Sequence, residues 1–133
     1  MRILLLAAAL FASTSIALAP FAASAASPQS PTTASARTPA AEIDALIDRV
    51  AHAKGVVFIR NGTEHTAAEA AQHLARKRRV AGDRITTPEQ FIDKLGARSS
   101  MTGKPYRVRL PDGREMDSAT WLTGLLQEVR ATH

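Results

Sequence analysis

Apolar positions fall along the chain in blocks of two periodicities, and the polar residues between blocks mark where each element starts and stops. Ile43, Leu46, Ile47 and Val50 recur at the i, i+3, i+4, i+7 spacing of one helical face. Thr38 as cap and Pro39 at the first helical position open that helix. Lys54-Gly55 closes it, a cation near the carbonyl end followed by a residue that tolerates a left-handed turn. Val56-Val57-Phe58-Ile59 is β-branched and aromatic and too short for a helix, so it reads as a strand buried on both faces. Arg60-Asn61-Gly62 turns out of it. Asn61-Gly62-Thr63 also matches a glycosylation acceptor, but the Ala/Arg-rich composition looks bacterial and favours the turn.

Thr66 and Glu69 form a capping box ahead of a helix running to about Arg79, with Ala67, Ala70, Ala71 and Leu74 as its buried stripe. Thr87-Pro88-Glu89-Gln90 is a second box, opening a short helix through Phe91, Ile92 and Leu95 to Gly96. Residues 97–104 are a polar loop. Tyr106, Val108 and Leu110 alternate with Arg107 and Arg109, the period of a half-buried strand. Pro111-Asp112-Gly113 turns the chain, and residues 114–116 return, which sets Arg109 opposite Glu115 on the wet face. Asp117 or Ser118 then caps a helix whose apolar side is Trp121, Leu122, Leu125, Leu126 and Val129. Helices outnumber strands and do not regularly separate them. The expected class is α+β, about four helices packed with a small, mainly antiparallel sheet of short strands.

The first 41 residues follow neither periodicity. Met1-Arg2 is positive, residues 3–19 are apolar apart from Ser13, Thr14 and Ser15, and Ala23-Ser24-Ala25 is a small-x-small exit. Those are the three parts of a secretory signal peptide, 1–25. The alternative, an uncleaved anchor, needs about 20 apolar residues, and the hydroxyl triplet with Pro20 leaves the run short. Residues 26–41 hold three Pro and no apolar residue but Ala. Such a leader cannot bury enough surface to offset its ordering entropy and is expected to be disordered. Residues 42–133 remain as a single small domain, expected in the periplasm with no stable membrane anchor once the signal is cleaved.

Composition narrows the chemistry. The chain of 133 residues has no cysteine, which excludes disulfide frameworks, iron–sulfur clusters, thiolate zinc sites and a lipid anchor on cysteine. Residues 42–133 carry 15 Lys+Arg against 12 Asp+Glu, a net charge of +3. Glu69, His73 and Lys77 stand at i, i+4, i+8 with His65 four residues earlier, stacked along one side of a helix. As a zinc or copper site, or an acid/base pair, the His65/Glu69/His73 stripe would make a small hydrolase with the 99–104 loop across its mouth. Against that, the spacing is no known ligand signature and Lys77 would repel a cation. His73 also lies about 100° around the helix from Leu74, where histidines more often pack and hydrogen-bond.

The loop Ser99-Ser100-Met101-Thr102-Gly103-Lys104-Pro105 fails as a phosphate loop, since six residues separate Gly96 from Gly103 and Pro105 follows Lys104. A Ser100–Lys104 nucleophile pair has no helix to hold it one turn apart. An ordered loop whose hydroxyls satisfy backbone groups is the better reading. The run Arg76-Lys77-Arg78-Arg79 spreads around about 300° of a helix, so it is not one flat patch. The choice is between a solvated surface and attraction to an anionic partner: lipid headgroup, envelope polysaccharide or acidic protein. The export signal and the scarcity of aromatics disfavour nucleic acid.

Three stretches carry a resemblance: Phe58-Ile59-Arg60-Asn61-Gly62; Glu69-Ala70 with His73-Leu74 and Lys77; and Ser99 through Tyr106, with Phe91-Ile92 between. Together they resemble the YfeK-like family, small exported bacterial proteins with a domain of unknown function. The resemblance covers about residues 40–130. It implies a signal peptide, one domain and a periplasmic home, and no activity, catalytic residue, metal or cofactor. It points to Arg60, Asn61, Glu69, His73, Lys77, Ser99, Ser100, Lys104 and Tyr106 as the polar positions of interest. The expected function is a non-catalytic binding or interaction module with a mildly basic surface, its partner an anionic envelope component or another periplasmic protein.

Overall fold

The computed structural model describes residues 37–132. The expected signal peptide, 1–25, and residues 26–36 of the expected leader lie outside the described residues. Helix α1 (Pro39–Ala51) takes in the last three leader positions, 39–41, because Thr38 Oγ1 accepts the Ala41 N–H at 3.2 Å and starts the helix ahead of residue 42. It ends at Ala51, earlier than Lys54, with Gly55 at φ +70°.

Strand β1 (Val57–Arg60) is not buried on both faces as expected. Phe58 is buried while Val57, Ile59 and Arg60 are half-buried. Its outward residues Val57 and Ile59 stand in sheet rows with Thr66, Glu64, Arg107 and Arg109, polar neighbours that leave that face partly open. Strand β2 (Thr63–Thr66) has the polar sequence Thr-Glu-His-Thr, which carries no strand signal of its own. It pairs antiparallel with β1 through the two-residue turn Asn61-Gly62, both residues in the left-handed region at φ 51° and 81°. β3 (Arg107–Arg109) pairs with the other edge of β1, and β4 (Glu115–Asp117) pairs with β3, all antiparallel, in the order β2-β1-β3-β4. The register joins His65, Phe58, Val108 and Met116 in one row across the sheet. Successive side chains point to opposite faces, so this row faces the helices. The neighbouring rows, with Glu64, Arg107, Arg109, Glu115 and Asp117, form the outer face.

Helix α2 (Ala67–Ala81) has the expected capping box: Thr66 Oγ1 accepts the Glu69 N–H at 3.2 Å, and Glu69 Oε2 accepts the Thr66 N–H at 2.8 Å. It runs two residues past Arg79, into a 3-10 turn at Gly82–Arg84. α3 (Pro88–Phe91) is capped by Thr87, but Gln90 Oε1 reaches back to Thr86 rather than to Thr87, so the second box is shifted by one residue. The helix widens into a π-turn (Ile92–Gly96) that brings Phe91, Ile92, Leu95 and Gly96 to the interior. A Cβ at Gly96 would lie 2.5 Å from Leu122 Cδ1, so a larger residue there would force the buried Leu122 side chain to shift. α4 (Ser118–Ala131) has Asp117 at its N-cap position with no side-chain cap bond, because that carboxylate accepts from Arg107 instead.

The core lies between the helices and the inner face of the sheet. α1 packs against α2 and α4, and Ile43, Leu46, Val50, Phe91, Val108, Leu122 and Leu126 are almost fully buried. Each such side chain contributes about 1.5–3 kcal/mol. Trp121, half-buried, meets Phe58 edge to face at 5.3 Å between ring centroids. The observed class is α+β, four helices with a four-stranded antiparallel sheet.

Candidate functional site

Arg60 is the last residue of β1 and shares the inner face with Phe58, so its side chain turns toward α2 and not toward solvent. There Nη1 meets His73 Nε2 at 2.7 Å. A guanidinium only donates, so Nε2 is the unprotonated nitrogen and the imidazole is neutral. Burial, then the charges of Arg60, Lys77 and Arg76 and the neighbouring His65, pushes the His73 pKa down to about 4.

This pair sits in a cleft of about 250 Å³ between the inner sheet face and the flank of α2. Phe58, Ala70, Leu74, Gly96 and Tyr106 supply its apolar wall. Arg60, His65, His73 and Arg76 supply its polar side, and Glu69 is the one carboxylate on its lining. That carboxylate is already committed: the Thr66 N–H and hydroxyl both donate to Oε2, which holds its pKa below the usual range. Neither Arg60 nor Arg76 has an ion-pair partner among the described residues. The cleft therefore presents fixed positive charge beside an apolar wall.

A second cluster secures the 97–106 loop. Lys77, one turn beyond His73, donates to the Leu95 carbonyl at 2.9 Å and to the Tyr106 hydroxyl at 3.2 Å. Tyr106 is buried, its N–H bonded to the Ala97 carbonyl, and its own carbonyl accepts from Ser118 N–H. Ser99 is buried and its hydroxyl accepts from the Met101 and Thr102 N–H groups, each at 3.3 Å. Asn61, at the hairpin turn, accepts from the Thr102 hydroxyl at 3.0 Å, tying that turn to the loop.

The sequence-derived candidates thus divide. Arg60, Glu69, His73 and Tyr106 line the cleft; Lys77 borders it through Tyr106; Asn61 and Ser99 hold the loop. Ser100 lines a second groove that shares His73 and Arg76 with the cleft, and exposed Lys104 lines neither. Among the described residues no three His, Asp or Glu side chains converge as metal ligands. The His65/Glu69/His73 stripe fails chemically as well: the Glu69 carboxylate caps a helix, and the free electron pair of His73 is taken by Arg60 amid other cations. Sequence reasoning missed Arg76 as a cleft residue, although its i+3 spacing from His73 placed it on the same helical side. It also missed the wall contributed by Gly96, which no local pattern indicates.

In comparison with known proteins, residues 37–130 match the model of a family of unknown function, DUF5329. The match covers most of the chain, and the protein belongs to this family. The uncharacterized protein YfeK of Salmonella typhimurium is 47% identical over 66 residues, which are 50% of this chain and 55% of that protein. The matched region thus spans about half the length of that relative. These findings bear out the resemblance carried by the three quoted stretches. No solved structure matches the chain. Among the described residues no helix is long and apolar enough to cross a membrane.

Proposed function

We propose that this protein is an exported, non-catalytic binding module of the bacterial periplasm whose cleft captures an anionic group. The reading includes a cleaved signal peptide at 1–25, a leader through the following residues and one folded domain to the C-terminus. What carries it is the Arg60–His73 pair: a guanidinium on the inner face of the sheet, with no ion-pair partner among the described residues, resting on a neutral imidazole beside Arg76. Arginine's planar fork suits carboxylate and phosphate oxygens. The cleft volume fits a small anionic group with a short apolar portion rather than a drug-sized ligand. In this reading Tyr106 is part of the wall that meets the ligand's apolar portion, Asn61, Lys77 and Ser99 shape the cleft without touching its ligand, and Ser100 and Lys104 lie outside the cleft.

Titration of the mature protein with inorganic phosphate and with acetate, followed by amide and imidazole NMR, tests the reading. An anion beside His73 offsets the positive field of Arg60 and Arg76, so the His73 pKa should rise on binding. Arg60→Ala should weaken binding about tenfold, and added salt should weaken it further. Absence of any shift at Arg60, His73 or Arg76 with either anion would overturn it. Export is tested separately by intact mass: protein from the periplasm should lack residues 1–25.

A further inference from the structure

Val80, 73% exposed, and Met101, 95% exposed, are the large apolar side chains left outside the core among the described residues. Val80, near the end of α2, and Ser100 line a common groove of about 440 Å³, and Met101 follows Ser100 in the chain. The groove is also lined by His73 and Arg76, which it shares with the cleft, by Lys77, Arg84 and Lys94, and by no carboxylate. Among the described residues Arg76, Arg84 and Lys94 have no ion-pair partner, and Lys77 donates to the Leu95 carbonyl and the Tyr106 hydroxyl, whereas most carboxylates elsewhere are paired. Asp83 and Asp93 are exposed nearby and line no part of the groove. Arg84 is folded back on the carbonyls of Val80 and Ala81, at 3.0 and 3.1 Å, which fixes a cation beside the exposed valine.

We infer that this face, formed by the end of α2, the π-turn and the tip of the 97–106 loop, docks on an anionic lipid bilayer. Two apolar side chains standing proud of a surface have no cavity to fill on their own protein. They gain burial by entering the region between headgroups and acyl chains, and unpaired cations around them meet the anionic headgroups. The groove between Val80 and Ser100 offers its cations and a hydroxyl to headgroup phosphates. An acidic polypeptide would match the charge equally, but the protruding side chains would then remain in water. The docking surface goes beyond the cleft reading and does not require the cleft to be occupied.

Co-sedimentation of the mature protein with vesicles tests it. Vesicles of equal parts phosphatidylglycerol and phosphatidylcholine should bind it, and pure phosphatidylcholine should not. The double variant Val80→Asp with Met101→Asp should lower binding about tenfold or more. Both positions are exposed, so its melting curve and the phosphate response of His73 should match the parent. No binding to the anionic vesicles, or binding that survives the double substitution, would overturn the inference. So would retention by soluble polyglutamate in place of vesicles, which would assign the face to an acidic polypeptide. A missing phosphate response at His73 with vesicle binding intact would remove the cleft reading and leave this one standing.

Discussion

The outer face of the sheet and the exposed side of α2 are both rich in arginine, yet they treat its charge in opposite ways. On the sheet, Arg109 reaches Glu64 at 2.6 Å and Glu115 at 3.0 Å, and Arg107 reaches Asp117 at 3.0 Å, a lattice of ion pairs across strands. Along α2 the run Arg76 to Arg79 is dispersed by the helix. Arg78 pairs with Asp44 of α1, Lys77 turns inward to Leu95 and Tyr106, Arg76 lines the cleft, and Arg79 is exposed with no ion-pair partner among the described residues. Similar residues therefore make a self-neutralised surface in one place and an unspent positive field in another. Alternation puts Arg107 and Arg109 on one strand face opposite returning acids. Helical rotation sends four consecutive cations in four directions with one acid to meet them.

The comparison is broken most severely at Lys77, the cation on the α2 side with an architectural duty. Lys77→Met should remove its bonds to the Leu95 carbonyl and the Tyr106 hydroxyl and lower stability by about 1.5–3 kcal/mol in urea unfolding. A loss well under that would place Lys77 with the free cations. Next comes His73, whose folded pKa of about 4 lies below the ordinary 6.5. The unfolded chain then binds a proton before the folded one does. The resulting stability is full above about pH 6.5 and is lost as pH falls toward 4. Thermal melts from pH 7 to pH 4 should show a steeper decline for the parent than for His73→Gln, and parallel curves would contradict the neutral pairing with Arg60. A smaller effect is expected on the sheet. Arg109→Ala should cost little stability in urea unfolding, since Arg109 and its partners are exposed, and the cost should shrink as salt rises. Arg76→Ala should cost no stability while weakening anion binding.

Much of the fold was legible. The Thr38, Thr66 and Thr87 caps, the stripes of α1, α2 and α4, the Asn61-Gly62 turn and the Arg109–Glu115 register all follow from local chemistry, and each is present. β2 was not legible, because Thr-Glu-His-Thr becomes a strand only by borrowing hydrogen bonds from β1. For the same reason β1 was misjudged as buried on both faces: a short apolar run does not reveal that one of its faces lies under arginine stems and ion pairs instead of a second layer. The π-turn was hidden too, since its widening is set by how Phe91, Leu95 and Gly96 fit against α4.

The candidate site was legible as a set of residues and not as an arrangement. Sequence alone established the caps, the helical faces, the absence of thiol chemistry, the family resemblance and the polar positions around His73, because each depends on neighbours within a turn or two. Only the tertiary structure decided that Arg60 meets His73, that Lys77 is fastened to Tyr106, and that Ser100 and Lys104 line no part of the cleft. Those outcomes depend on which face of a strand meets which side of a helix, and that is determined by packing of the whole core.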